Sequence, residues 1–399
     1  MSGGGYANQK LSASILSEGY GMLRSLISDC KAAGHNVTAL LDSRLKAFNP
    51  PNEADQTVSI SSPHELSARL TDLSGLADAV YVIAPESGQV LEKLVENIEA
   101  SSGTSLNCEI GSIKQVSNKM TIYKTMKKLG LNVPETVLLD INEKIENIKR
   151  LIKELGYPLI FKPLDGVSCG GLSIVKDEEE IAWAVKKVAR ESMSKQFIVQ
   201  KLIRGKAASA CVIATGRKAV AVTLNWQLVT LASPDGKSAY YGGVVPFDHR
   251  LEKEALKAAE RVVGGTEGLK GYVGVDMVLT EDEAIMLEVN PRLTTSYVGL
   301  RSVVNFNPAE AIIDAVIERK LPKNVQSRGY SFFSKVEVPP NPQIITETYK
   351  LKDVVSPPFP MEGNKSAYAL IATFSISPKG AESAFYRTKK RLLNLYQGD

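Results

Sequence analysis

Histidine is nearly absent from this chain: three of 399 residues, His35, His64 and His249, widely spaced. A His-ligated metal centre therefore lacks a ligand set. A Ser-His-Asp or Cys-His mechanism would have to rest on one isolated imidazole. The four cysteines, Cys30, Cys108, Cys169 and Cys211, form no CxxC pair. That spacing argues against a zinc site or a disulfide framework and suits a reducing compartment. No apolar run approaches the ~18 residues that span a bilayer, and no signal-peptide pattern opens the chain. A cytoplasmic location is the expectation. Charge of one sign is not concentrated either: 48 basic against 44 acidic residues leave +4 with no long basic run. Nucleic acid and anionic membrane surfaces are not expected partners. Internal repeats and low-complexity tracts are also missing.

What is present suits a multidomain α/β protein. At ~100–200 residues per domain, this length predicts two or three domains, and 44% hydrophobic residues can fill their cores. Residues 1–110 alternate helix and strand patterns: helices over 18–33, 66–73 and 90–100, strands over 37–41 and 79–83. Such alternation predicts a mainly parallel sheet. A glycine turn at residues 3–5 would normally follow a strand, so a first strand is expected to be missing ahead of it. A Ser/Gly-rich loop at 101–104 separates this unit from a central region, 111–320. Residues 321–399 are richer in proline and are expected to add a few strands, one over 367–375, and a last helix near 382–396.

Residues 272–279 and 284–289 are apolar runs flanking Glu281-Asp282-Glu283, a hairpin pattern. Folded about Asp282, Asp276 lies opposite Glu288, and Asn290 faces the same way two residues on. Three oxygen ligands converge, with Arg292 just beyond. Hard oxygen ligands of this kind suit magnesium or manganese.

A second element, YPLIFKPLDGVSCGGLSIV at 157–175, reads strand, glycine loop, strand. Glycines let backbone amides approach phosphate oxygens closely, and Lys162 adds charge at the loop's base. No helix follows, so it is neither a Walker A loop nor a dinucleotide fingerprint. Alone, it is equally a glycine hairpin without a ligand. A third element, 197–213, is two strands joined at Arg204-Gly205, either a linker offering backbone groups to an adenine edge or a plain turn.

In this order and spacing, these elements resemble the ATP-grasp superfamily of carboxylate–amine ligases over residues 111–318. The resemblance implies an α/β pre-ATP-grasp domain with a parallel sheet (1–110), then an α+β ATP-grasp domain of two subdomains (111–320). It implies ATP and two ions of Mg2+ or Mn2+. Lys119 and Lys162 would contact phosphates, with Gly166, Ser168, Gly170 and Gly171 in the phosphate loop. Gln200, Lys201, Leu202 and Ile203 would hold adenine. Asp276, Glu288 and Asn290 would bind metal, and Arg292 would steady the transferred phosphate. The sequence departs from the family after the adenine linker, where Lys206-Ala207-Ala208-Ser209 lacks the usual ribose-binding acid. Ser209 or a residue elsewhere would serve.

Narrower still, Asn290-Pro291-Arg292-Leu293-Thr294-Thr295-Ser296-Tyr297 and Tyr240-Tyr241-Gly242-Gly243 are similar to the tyramine–L-glutamate ligases of methanofuran biosynthesis. So is Glu18-Gly19-Tyr20-Gly21-Met22. This implies small-molecule partners, an amino acid and an amine, and leaves a homodimer open. Thr294, Thr295 and Ser296 would bind a substrate carboxylate, or form a polar helix start. Tyr241 would wall the amine slot or simply pack. A ligase for another amino acid, amine or peptide, and an ATP-binding subunit without chemistry, are the competing expectations.

Overall fold

A computed structural model describes residues 2–164, 170–192 and 194–397. The helix Ala13–Ala32 begins earlier than its sequence pattern predicts, because Leu16 and Tyr20 are buried against Leu41, Leu45 and Phe359. It leads to β1 (Thr38–Asp42), which pairs in parallel with β2 (Gln56–Ile60). The helix Pro63–Ser74 starts where its capping residues dictate. Ser62 Oγ accepts from the Glu65 amide at 3.1 Å, and Glu65 reaches back to the Ser61 amide at 2.8 Å.

The expected strand over 79–83 makes only a parallel bridge, Val80 to Ser105. The reason is a side chain. Asn107 takes both the amide and the carbonyl of Val82, at 2.8 and 2.9 Å, in place of a neighbouring strand. The glycine turn sits at the carboxyl ends of β1 and β2: Ser2 O accepts from Asp42 N at 2.7 Å.

Next come β3 (Thr136–Asp140), β4 (Leu159–Pro163), β5 (Ser173–Val175) and β6 (Gln196–Lys201). They form an antiparallel sheet in the order β3-β6-β4-β5. Phe161 and Phe197 stack at 5.6 Å beneath the helices Ile145–Ile152 and Ile181–Glu191.

The largest sheet contains β7 (Lys206–Thr215), β8 (Ala219–Thr230), β9 (Ala239–Val245), β10 (Lys270–Leu279) and β11 (Ala284–Asn290). It also contains β12 (Tyr330–Val338), β13 (Val354–Ser356) and β14 (Ala367–Ser375). Their order is β11-β10-β7-β8-β9-β12-β14-β13. The last three strands thus extend the sheet that carries the acidic hairpin. The helix Pro378–Asn394 packs on β12 and β14, and Ser377 caps it through the Gly380 amide at 3.2 Å. A cavity of about 260 Å³ lies between the two antiparallel sheets.

Candidate active site

The acidic hairpin works through one irregularity. At its tip Leu279 pairs with Ala284, and Met277 with Met286. A bulge then shifts the register, so Asp276 pairs with Glu288. Without the extra residue Leu287, the wrong side chain would face Asp276, because a one-residue slip flips a strand's faces. Asn290 Nδ2 donates to Asp276 Oδ2 at 3.0 Å, and Gln227 Nε2, from β8, donates to Oδ1 at 2.9 Å. Gly274 pairs with Asn290, and a Cβ there would come within 2.4 Å of Thr294 Cγ2. Its missing side chain lets the segment after Arg292 lie against β10.

The two carboxylates differ in electrostatics. Burial, then the neighbouring Glu288 charge, push the Asp276 carboxyl well above the usual range. Burial also works against the Glu288 carboxylate, but Lys119 and Lys162 outweigh it and hold its pKa low. Lys119 Nζ lies 3.1 Å from Glu288 Oε2. Burial opposes the Lys119 ammonium, yet Glu288, Glu86 and Asp276 together raise its pKa. Two facing, partly buried carboxylates, one of them with a raised pKa, with an amide oxygen alongside, fit a hard divalent cation. No cluster of three or more His, Cys, Asp or Glu side chains with metal-binding geometry occurs among the described residues. Asp276, Glu288 and Asn290 would therefore hold such an ion with help from a substrate's own oxygens.

Arg292 Nε pairs with Glu86 Oε2 at 2.5 Å, and both side chains are largely buried. Burial opposes the guanidinium charge, but Glu86 more than compensates. Beyond it, Thr294, Thr295 and Ser296 line the cavity. Their hydroxyls do not cap the helix Tyr297–Val303. Thr294 Oγ1 lies 2.8 Å from both Tyr272 OH and Ser296 Oγ, and Tyr272 OH donates to Cys211 Sγ at 2.9 Å. Thr295 Oγ1 donates to Glu18 Oε2 at 2.8 Å.

Lys162, buried on β4, and Gly170 also line the cavity, with Gln200, Lys201, Leu202 and Ile203. Gly166 and Ser168 lie outside the described residues. The loop's far end is anchored: Gly171, at φ +69°, donates its amide to Glu191 Oε2 at 2.6 Å. The amides of Lys201 and Leu202 donate to the carbonyls of Glu135 and Pro158, so an adenine edge would meet other groups of the linker. Ser209 pairs with Asp276 across β7 and β10, which puts it at the acidic end of the cleft. Tyr241 is a correction. It is 47% exposed, and the cavity wall on β9 is Tyr240, because neighbouring strand residues alternate faces.

Glu86, Gln227, Glu18 and Tyr240 line the cavity without having been assigned to it from sequence. Glu86 stands in a Pro-Glu-Ser-Gly stretch just before the helix Val90–Ala100, with no motif around it, and Glu18 stands in a motif that carries only a likeness.

Comparison with known proteins agrees with this fold. A model described as an ATP-grasp domain matches residues 116–296, and a pre ATP-grasp 3 domain matches residues 35–113. This chain carries an ATP-grasp domain behind a pre-ATP-grasp domain. Its ATP-grasp match contains both antiparallel sheets' cavity-lining strands up to β11 and ends at Ser296. It is 27% identical over 319 residues to the tyramine–L-glutamate ligase of Methanocaldococcus fervens, covering 79% of this chain and 93% of that one. A second such ligase, from Methanocaldococcus jannaschii, is 27% identical over 278 residues, 69% of this chain and 75% of that protein. In fold, it is similar to the Campylobacter jejuni biotin carboxylase solved with β,γ-ATP. The TM-score is 0.69 at 16% identity, covering 91% and 86% of the two chains. Among the described residues, no helix is long and apolar enough to cross a membrane.

Proposed function

We propose that this protein is an ADP-forming carboxylate–amine ligase that joins the γ-carboxyl group of L-glutamate to tyramine, as in methanofuran biosynthesis. The observation that supports the ligase class is the cleft itself, which Asp276, Glu288, Asn290 and Arg292 line together with Lys119 and Lys162. The substrate pair is supported by the likeness to tyramine–L-glutamate ligases over most of both chains.

The chemistry follows from these groups. A carboxylate is a poor acyl donor because its oxide is a poor leaving group. Its oxygen attacks the γ-phosphorus of ATP, the bond to the β-phosphate oxygen breaks, and an acyl phosphate and ADP result. The amine then attacks the acyl carbon, phosphate leaves, and nitrogen loses a proton to give the amide. Lys119 and Lys162 hold phosphate oxygens, and Arg292, oriented by Glu86, neutralises charge on the transferred group. Asp276, Glu288 and Asn290 would hold Mg2+ or Mn2+, taken as two ions, and such ions would further neutralise phosphate charge. No step needs a nucleophilic side chain, which suits a chain so poor in histidine.

The test is ADP release with Mg2+ or Mn2+ across amino acids and amines, with product mass. L-glutamate plus tyramine should give γ-glutamyltyramine. ADP release with a different pair alone would replace the substrate assignment. No release with any pair, despite ATP binding, would make the chain a nucleotide-binding subunit.

A further inference from the structure

Among the described residues, four carboxylates line the cavity: Glu18, Glu86, Asp276 and Glu288. Three are accounted for. Glu86 holds Arg292, and Asp276 and Glu288 face each other with Lys119 at the edge. Glu18 comes from the N-terminal helix Ala13–Ala32, far from the phosphate-binding elements in sequence. It is 6% exposed and still reaches the cavity wall.

Its surroundings are built. Oε2 accepts from Thr295 Oγ1 at 2.8 Å, and Oε1 accepts from Lys335 Nζ at 2.5 Å. Lys335, on β12, also donates to Ser14 Oγ at 2.8 Å and lies 5.7 Å above the ring of Tyr240, another cavity wall. Burying a carboxylate this far is costly unless it is paired. The pair here fixes the direction of the Glu18 carboxylate. A carboxylate offers about four acceptor positions, so one donor on each oxygen leaves room for a cationic ligand.

Position selects which cation. Thr295 follows Arg292 by three residues and bonds Glu18, which ties Glu18 to the segment that carries Arg292, the residue assigned to the transferred phosphate. Resting on the ligase reading above, two nitrogens could reach it: the attacking amine and the α-ammonium of the amino acid. The attacking nitrogen must lose its proton to react. An ion pair with a buried carboxylate holds that proton on, because an adjacent opposite charge favours the ionised form. The group suited to Glu18 is the one that stays protonated throughout.

We propose that Glu18 binds the α-ammonium group of the amino-acid substrate, and that Lys335 is the positioning residue that holds Glu18 in place. The site is then assembled from three distant segments: the first helix, the loop after β11, and β12, which lies beyond the ATP-grasp match.

The experiment compares wild type with Glu18→Gln, Lys335→Met and Lys335→Arg, using L-glutamate and glutarate, which lacks the amino group. In Glu18→Gln the KM for L-glutamate should rise roughly ten- to a hundredfold, the loss of one charge-assisted hydrogen bond. KM for ATP and tyramine should stay within about twofold, and glutarate should not discriminate wild type from variant. Lys335→Met should raise the same KM, and Lys335→Arg should restore most of it. If L-glutamate and tyramine react but Glu18→Gln leaves the glutamate KM unchanged, or raises the ATP KM equally, the assignment of Glu18 is overturned and the ligase reading stands. If wild type uses another α-amino acid and Glu18→Gln weakens that one against its deamino analogue, Glu18 stands and the substrate pair falls. If Glu18→Gln does not fold, calorimetry on wild type with a non-hydrolysable ATP analogue decides. Equal affinity for L-glutamate and glutarate overturns the proposal, and binding of no α-amino acid overturns both.

Discussion

Replacing Glu86 by Gln tests how Arg292 is held. The substitution keeps an oxygen acceptor near the guanidinium but removes its counter-charge. With the two side chains 18% and 12% exposed, Arg292 becomes a largely buried cation with no carboxylate on it. Breaking one side of a buried pair costs about 3–5 kcal/mol. The cavity beside it lets water reach the site, so the low end, about 3 kcal/mol, is the expectation. At ~2.1 cal/mol/K of unfolding entropy per residue, a chain of 399 residues melting as one unit loses about 4 °C. The more telling number is what ATP gives back. If Arg292 meets the transferred phosphate, a nucleotide supplies the missing negative charge, and whatever binds only the folded state stabilises it. A non-hydrolysable ATP analogue with Mg2+ should therefore raise the melting temperature of Glu86→Gln by more than it raises that of wild type. Scanning calorimetry with and without the analogue measures both. Equal increments in the two proteins would show that Arg292 does not meet the nucleotide's phosphates, and the reasoning would fail.

Glu288→Gln should lower turnover roughly a hundred- to a thousandfold with the fold retained, since it removes a carboxylate from the charge-neutralising centre; near wild-type rates at saturating Mg2+ would exclude Glu288 from it. If Lys162 contacts the nucleotide's phosphates, Lys162→Ala should weaken ATP binding about tenfold by calorimetry while leaving the KM for L-glutamate unchanged. Gly274→Val should destabilise the protein by about 1–3 kcal/mol in urea, because the new side chain meets Thr294 where a Cβ alone comes within 2.4 Å. An unchanged midpoint would mean the segment after Arg292 shifts freely.

The legible part of this molecule was local. The hairpin's apolar runs and polar tip were enough to pair Asp276 with Glu288, although the turn spans Thr280 to Glu283 and a bulge at Leu287 restores the register. The helix Val90–Ala100 and strand β14 fall where their patterns end, with turn residues on either side. Contacts between distant segments left no such trace. Nothing near Glu86 announces Arg292, 206 residues away, and nothing near Glu18 announces Lys335, 317 residues away. Segment 79–83 misled for the same reason. Its composition suits a strand, but the partner turned out to be the side chain of Asn107. On β9, two adjacent tyrosines are equivalent as letters, and only the pleat decides that Tyr240 faces the cleft.

The order of strands in the large sheet has a consequence for synthesis. Strand β9 gains its second neighbour only when β12 has emerged from the ribosome. At ~5–20 residues per second, that wait is on the order of ten seconds, during which the nascent chain carries an unpaired strand edge. Gly242 and Gly243 on β9 weaken its tendency to recruit a wrong partner in that interval. Lys335 arrives with the same late strand. The growing chain can thus complete its ATP-facing wall well before Glu18 acquires its counter-ion, and a ribosome stalled between β11 and β12 would present a nucleotide cleft whose other half is unfinished.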